Sequence, residues 1–341
     1  MNKLPARILV TGGAGFIGST LVCQCLVQKN VTVLNLDKIT YAGHRLSIAH
    51  LRSNKRHTLV EGDIANSILV KRLLSDFRPQ AIVHMAAETH VDRSIEDPSV
   101  FATTNVLGSC VLLEQTTRYW RQLSGEESQN FRFLHVSTDE VYGSAGQEEV
   151  FDERSLLRPN SPYAASKSSA EHFVRAFIKT FDLPAMVVNP SNNYGPRQHP
   201  EKLIPKMIVA AVRGKPLTLY GDGMHQRNWL HVSDCCRALL SALIYGDRGD
   251  SFTLGGNRSM PNLQVVEMIC DVVDSSLNDG KMRRSLITHV SDRLGHDRRY
   301  AISSERLMVA TGWYPQISLE AGLRETVEWY LKHPDWVEQS K

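Results

Sequence analysis

The stretch TGGAGFIGS, residues 11–19, constrains this chain more than any other. It follows a short apolar run, residues 7–10, that reads as a strand, and it precedes an apolar-periodic segment carrying Cys23 and Cys25 that reads as a helix. Gly12 and Gly15 permit a tight turn with close approach of a pyrophosphate, and Gly18 lets the helix pack tightly on the sheet. The amides at the helix N-terminus then face the phosphate charge. Such a turn can serve packing alone, but a strand before it and a helix after it are what the dinucleotide reading requires. The expectation is a Rossmann-like, doubly wound parallel α/β sheet.

The next apolar strand, residues 31–36, ends in Asp37. A carboxylate there accepts hydrogen bonds from an adenosine ribose and repels a 2′-phosphate, which favours NAD over NADP. Lys38 beside it works against that preference. A third strand, residues 58–60, leads to Asp63, which either meets the adenine amino group or caps the next turn. A fourth, residues 81–85, runs into AAETHVDRSI. Small Ala86 and Ala87 let backbone lie beside a cofactor, and Glu88, Thr89, His90, Asp92, Arg93 and Ser94 form a polar patch where open sheets bind ligands. His90 and Asp92 lack a third partner, so no metal is expected. A helix over about residues 99–120, an exposed loop over 124–130 and a fifth strand over 131–136 follow.

That fifth strand ends in Thr138, Asp139 and Glu140. Neighbouring carboxyl groups push each other's pKa values apart, so one of them holds a proton more readily. Ser137 and Asp139 capping a turn is the plainer reading. Tyr163 and Lys167 stand four apart at the start of the next helix, one turn apart on one face. There an ammonium favours the phenolate and eases proton transfer with a hydroxyl.

The second half continues with a strand over residues 185–188 and a loop over 189–205 rich in Asn and Pro. A helix over 202–213 and a strand over 217–220 come next, then Arg227 and Asn228 before a helix from about Ser233. A strand over 252–254 and a helix over 319–331 close the chain, with Trp329 and Trp336 read as packing residues. Residues 1–188 are expected to form the cofactor domain with the catalytic groups. Residues 189–341 are expected to form mainly a smaller mixed α/β substrate lobe, with segments returning to the first domain.

At 42% hydrophobic and 22% charged residues with a formal charge of +3, the composition excludes a disordered chain. Arginines gather at 283–284 and 293–299, but no helix interleaves basic with aromatic residues, so a phosphorylated small molecule is expected rather than nucleic acid. Six cysteines without Cys-x-x-Cys spacing point to thiols in a reducing compartment. With no room for a signal peptide and no apolar run of membrane-spanning length, a cytoplasmic protein is expected.

TGGAGFIGS, AAETHVDRSI, STDEVYG, YAASK, NNYGP with PEKLIP, and GHDRRYAI together resemble the nucleotide-sugar 4,6-dehydratases of the extended short-chain dehydrogenase/reductase superfamily. The resemblance runs from about residue 6 to the final tryptophans. It implies NAD held by Gly12, Gly15, Phe16, Ile17, Gly18, Asp37, Lys38, Thr40, Asp63, Ile64, Ala86 and Ala87, with Tyr163 and Lys167. Tyr163 resembles the base for the sugar 4-hydroxyl, with Lys167 on the cofactor ribose lowering the phenol's pKa. Glu140 resembles the base for the C5 proton, Asp139 the acid that protonates the departing 6-hydroxyl, and Thr138 a partner of the 4-oxygen. Glu88, Asn189, Glu201, Lys202, Arg227, Asn262, Arg293 and His296 match substrate contacts, the last few as a diphosphate clamp.

The implied reaction converts dTDP-glucose to its 4-keto-6-deoxy product. Pro190, Arg197 and Asn228 depart from the commonest pattern, so a UDP-sugar stays open as substrate. Epimerases and decarboxylases on this scaffold usually lack the Asp139–Glu140 pair. An NAD-sensing interaction protein would leave that pair without a task. The resemblance also implies a homodimer through a four-helix bundle, built from the helices after Ser99 and Pro162.

Overall fold

Strands as continuously apolar as residues 8–10 and 81–83 need cover on both faces. The computed structural model, which describes residues 3–256 and 259–339, supplies it. In chain order the strands are β1 (Arg7–Thr11), β2 (Thr32–Asp37), β3 (His57–Glu61), β4 (Ala81–His84), β5 (Arg132–Val136) and β6 (Ala185–Pro190). They continue with β7 (Asn192–Tyr194), β8 (Leu217–Tyr220), β9 (Gln226–His231), β10 (Ser251–Leu254), β11 (Ser259–Pro261) and β12 (Ile287–Val290).

The main sheet has seven strands in the order β10-β6-β5-β4-β1-β2-β3, every pair parallel. The order reverses between β1 and β4, where Thr11 pairs with Leu36 on one side and His84 on the other. A crevice opens beyond the carboxyl ends of strands at such a reversal. Helices Ser67–Phe77, Gly108–Trp120 and Pro162–Phe181 cover one face around Leu74, Leu112, Phe133 and Val174. Helices Phe16–Val27 and Val232–Tyr245 cover the other around Leu21, Val22, Cys236 and Leu239. The chain therefore leaves the sheet after β6 and comes back to it with Val232–Tyr245 and β10.

A second core lies among helices Leu203–Val212, Asn262–Leu277 and Leu319–Lys332, with Trp229, Trp336 and Tyr330 buried in it and Trp329 packed against it. Its backbone is completed by a three-stranded sheet, β11-β9-β7, and a two-stranded one, β12-β8.

Several elements depart from expectation. The segment read as one helix over 99–120 divides into Pro98–Phe101, a π-helical stretch Ala102–Leu107 and Gly108–Trp120. Residues 124–130, expected as a loop, contain the helix Gly125–Asn130, with Glu126 and Glu127 in the first turn where they suit the helix dipole. Arg227 and Asn228 lie within β9 itself and are buried. Among the described residues no helix is long and apolar enough to cross a membrane.

Candidate active site

The glycine turn packs against the end of β4. Gly12 has φ +74°, and a Cβ there would sit 2.7 Å from the Ala86 nitrogen. A Cβ on Gly18 would lie 2.1 Å from the Gly12 carbonyl oxygen, so the helix can approach the turn only as glycine. One cavity lies over this turn. Gly12, Gly15, Phe16, Ile17, Gly18, Asp37, Lys38, Thr40, Asp63 and Ile64 line it. Ala86, Ala87, Glu88, Thr138, Asp139, Glu140, Tyr163 and Lys167 line it as well.

Asp37 is anchored rather than free to swing. Its Oδ2 accepts from the Ala14 N–H and its Oδ1 from the Ile39 N–H, each at 2.8 Å. Burial pushes its carboxyl up while those two hydrogen bonds pull it down. Asp63 Oδ1 accepts from Ala65 N–H at 2.8 Å, which is the capping role. Its Oδ2 pairs with Lys38 at 2.7 Å, so the cation that argued against NAD is engaged by a second carboxylate. Ser137 Oγ, Asp139 Oδ2, Ser191 Oγ, Asn192 Oδ1 and Asn193 Oδ1 belong to residues lining the same cavity, and these buried atoms have no protein partner. Close-packed glycines, a fixed carboxylate and unsatisfied polar atoms fit a dinucleotide with its ribose hydroxyls.

Thr138 caps a short 3₁₀ turn, Asp139–Tyr142, by accepting from the Glu140 N–H at 3.3 Å. The two acids on that turn have different surroundings. Burial pushes Asp139 well up, the Glu140 charge adds to it, and Arg227 only partly offsets them. Burial also pushes Glu140 up, but Arg293, Lys202 and Arg227 all pull it back. The surroundings of Asp139 thus favour its protonated form, while three cations favour the ionised form of Glu140.

Tyr163 is fastened by its backbone. Its N–H donates to Ser94 Oγ at 3.1 Å and its carbonyl accepts from Ser166 Oγ at 2.7 Å. Asn105, in the π-helical stretch, donates to that same Ser166 hydroxyl at 2.8 Å and also exchanges hydrogen bonds with the Glu88 backbone. Ser166 and Asn105 went unread as site residues, and Ser94 was read only as part of the polar patch after β4. A mid-helix asparagine is the available signal, because its amide competes with the helix unless another partner takes it.

Lys167 was expected to lower the Tyr163 phenol. Burial and then the Glu140 charge push the phenol up, and a Thr138 hydrogen bond opposes them. Lys167 Nζ donates to the Val136 carbonyl at 2.8 Å. Burial in turn pulls Lys167 down to about 8, against the raising effect of Glu171.

A second cavity shares Glu140, Asn192, Asn193, Gln198, Glu201 and Lys202 with the first and extends past Arg227, Asn262, Arg293 and His296. Arg227 lies 4.2 Å over the Tyr300 ring and donates to the Asp297 carbonyl at 3.0 Å. Arg293 sits 3.5 Å from Asp92, with its buried Nε unpartnered. Asn262 begins its helix with a buried, unpartnered Oδ1. Lys202 reaches across to the Thr89 carbonyl at 2.7 Å, and Glu201 lies 3.6 Å from His90. Asn189 lines neither cavity; its amide donates to the Thr138 carbonyl and to Glu171 at 3.2 and 2.9 Å. His225, Asp292 and His296 bring ligand atoms within 4.8 Å of one another. Arg227 hydrogen-bonds one of those rings, and both rings are held below their ordinary range by burial and neighbouring arginines, surroundings that disfavour a cation.

Residues 9–326 match the family model described as GDP-mannose 4,6 dehydratase. The dTDP-glucose 4,6-dehydratase of Xanthomonas campestris pv. campestris is 48% identical over 335 residues, 98% of this chain and 95% of that protein. The crystal structure of the Streptomyces venezuelae dTDP-glucose 4,6-dehydratase, solved with NAD and dTDP bound, is 40% identical with a TM-score of 0.89, covering 98% of this chain and 100% of that one. The UDP-glucose 4-epimerase of Thermotoga maritima, at 29% identity, still reaches a TM-score of 0.83 over 96% of this chain and 99% of that one, so backbone shape alone does not separate the activities. Identity over nearly the whole length does: this chain belongs to the nucleotide-sugar 4,6-dehydratases of the extended short-chain dehydrogenase/reductase superfamily, in the dTDP-glucose 4,6-dehydratase family.

Proposed function

We propose that this protein is an NAD-dependent dTDP-glucose 4,6-dehydratase that forms dTDP-4-keto-6-deoxyglucose and water. The observation that carries the reading is the divided environment of Asp139 and Glu140 on one turn beside Tyr163. Removing water next to a ketone needs a proton donor and a proton acceptor in addition to the group that serves the 4-hydroxyl. NAD, when bound, supplies the acceptor and later the donor of the hydride.

Each residue then has one task. Tyr163 takes the 4-hydroxyl proton, with Thr138 beside it to hydrogen-bond the 4-oxygen. Glu140, drawn toward its ionised form by Arg293, Lys202 and Arg227, takes the C5 proton. Asp139, pushed toward its protonated form by burial and by Glu140, gives its proton to the departing 6-hydroxyl. Lys167 holds the cofactor ribose. Arg227, Arg293 and Asn262 take the nucleoside diphosphate in the second cavity, and Glu201 and Lys202 stand at its junction with the first.

The base is inferred as thymine from the relatives, with a UDP-sugar as the competing substrate. Exposed Val100, Leu107 and Phe173, on or beside the helices after Ser99 and Pro162, support a homodimer through a four-helix bundle. Six free thiols support a reducing, cytoplasmic setting. The test is incubation with dTDP-glucose, UDP-glucose and GDP-mannose, followed by mass spectrometry of the product. Loss of one water from dTDP-glucose without net NADH is expected. Unchanged mass with an inverted sugar centre would assign an epimerase instead.

A further inference from the structure

Glu171 lies one helical turn beyond Lys167 on the same face of helix Pro162–Phe181, and its side chain is wholly buried. A carboxylate taken out of water has to be paired and hydrogen-bonded. Here Oε1 accepts from Arg175 Nε at 3.0 Å and Nη2 at 2.7 Å. Oε2 accepts from Asn189 Nδ2 at 2.9 Å, and that same amide nitrogen donates to the Thr138 carbonyl at 3.2 Å. One carboxylate is thus joined along its helix to the Tyr163–Lys167 face and, through Asn189, to the turn bearing Asp139 and Glu140.

We propose that Glu171 is a positioning residue for the dehydration, supplying the counter-charge to Lys167 and, through Asn189, holding the acid–base turn in register with it. The inference rests on the dehydratase reading of the site.

The groups around Lys167 explain why a counter-charge is needed. The ammonium donates to the Val136 carbonyl of β5. His84 on β4 and His135 on β5 are buried near it and kept neutral, by burial first and then by the Lys167 charge, His84 being pulled down to about 3. On the catalytic turn, Tyr142 faces both Glu171 and Arg175 and is itself pushed up by burial. Glu171 is the anion that acts on Lys167, which burial already draws down to about 8. Removing it takes away the charge that opposes that lowering.

The experiment is the pH profile of kcat at saturating dTDP-glucose for the unmodified protein, Glu171→Gln and Glu171→Asp. In Glu171→Gln the alkaline limb is expected to move down by roughly one pH unit, the low end for loss of a close opposite charge. On the acid side of the profile most of the rate should remain. Glu171→Asp retains the charge and is expected to leave the limb in place. A Glu171→Gln profile lowered equally at every pH, with its limb unmoved, overturns the proposal. Should Glu171→Gln fail to fold by circular dichroism, Arg175→Gln replaces it. Removing that competing cation leaves more of the carboxylate's field for the ammonium, so the limb moves up; a limb that stays or moves down overturns the proposal. Absence of turnover in the unmodified protein instead sinks the dehydratase reading itself.

Discussion

Arg227 Nη2 donates to His296 Nε2 at 2.8 Å, and this contact fixes the state of the ring. A guanidinium can only donate, so Nε2 is bare and the imidazole proton sits on Nδ1, facing Asp292 Oδ1 at 2.6 Å. Burial first, then the Arg293 charge, pull His296 down to about 3. The ring is a neutral brace for Arg227 and adds no charge of its own to the clamp expected from the sequence.

Arg227→Lys should therefore weaken substrate binding more than chemistry. Losing a planar fork over Tyr300 removes hydrogen bonds to a charged group worth about 1.5–3 kcal/mol, a rise in KM of roughly 10- to 100-fold with kcat nearly kept. His296→Gln should show a smaller rise of the same kind. Steady-state kinetics with dTDP-glucose measures both, and a fall in kcat at constant KM would remove Arg227 from the binding role.

Substitutions at the three reacting side chains should stop the reaction at different points. Tyr163→Phe leaves the 4-hydroxyl proton without an acceptor and should suppress NADH formation in rapid mixing. Asp139→Asn and Glu140→Gln should still show NADH but stall before water leaves. General acid or base assistance sets the scale at roughly 10²- to 10⁴-fold. Solvent deuterium entering C5 at the normal rate in Glu140→Gln would reassign the base.

Asp139 also predicts a trade between activity and stability. Its carboxyl is raised in the folded state above the roughly 3.9 of an exposed aspartate. Below that value both states hold the proton. As pH rises past it the unfolded chain ionises first, so folding stability falls until the folded-state value is reached. Each unit of elevation costs about 1.4 kcal/mol at higher pH. Asp139→Asn cannot ionise, so it should melt higher than the unmodified protein at neutral pH, with the gap closing toward acid. Parallel melting curves across pH test this, and a gap independent of pH would contradict it.

NAD should bind more tightly than NADP, because the Asp37 carboxylate is fixed by Ala14 and Ile39 at the end of β2 and Lys38 is engaged by Asp63. Asp37→Ser should narrow the difference, chiefly by improving NADP. Side-by-side titrations decide it, and stronger NADP binding by the unmodified protein would overturn the cofactor preference.

In solution the protein should have a mass near twice 38.3 kDa. Phe173→Glu, at an exposed apolar position on helix Pro162–Phe181, should shift it toward the monomer. A fully active monomer of the unmodified chain in analytical ultracentrifugation would remove the dimer.

The parts of this site legible in the sequence were those fixed by local backbone geometry. The glycine turn and Asp37 are separated by one helix and one strand, so their spacing carries their meaning. Thr138 to Glu140 and Tyr163 to Lys167 are equally local. What escaped depends on partners far along the chain. Arg227 could not be read as a strand residue because β9 is polar in its first half and pairs with β7 and β11. The Lys167 ammonium turns to a β5 carbonyl, which no spacing on its own helix reveals. Asn105, inside the π-helical stretch, meets Glu88 and Ser166, 17 and 61 residues away. The segment expected as a loop over 124–130 contains a helix in which no residue is buried, so it carries no apolar periodicity to read.

The contact between Gly12 and Ala86 has a consequence for how the protein is made. The wall behind the glycine turn is contributed by β4, which is synthesised only after β2 and β3 although it pairs directly with β1. A nascent chain that has emerged through β3 has the turn and Asp37 but nothing to press the turn against. Competence to hold a dinucleotide should thus arise late and abruptly on the ribosome, when β4 inserts beside β1. Until then the open edge of β1 is exposed to mispairing, and residues 81–87 act as the plug that ends that vulnerable interval.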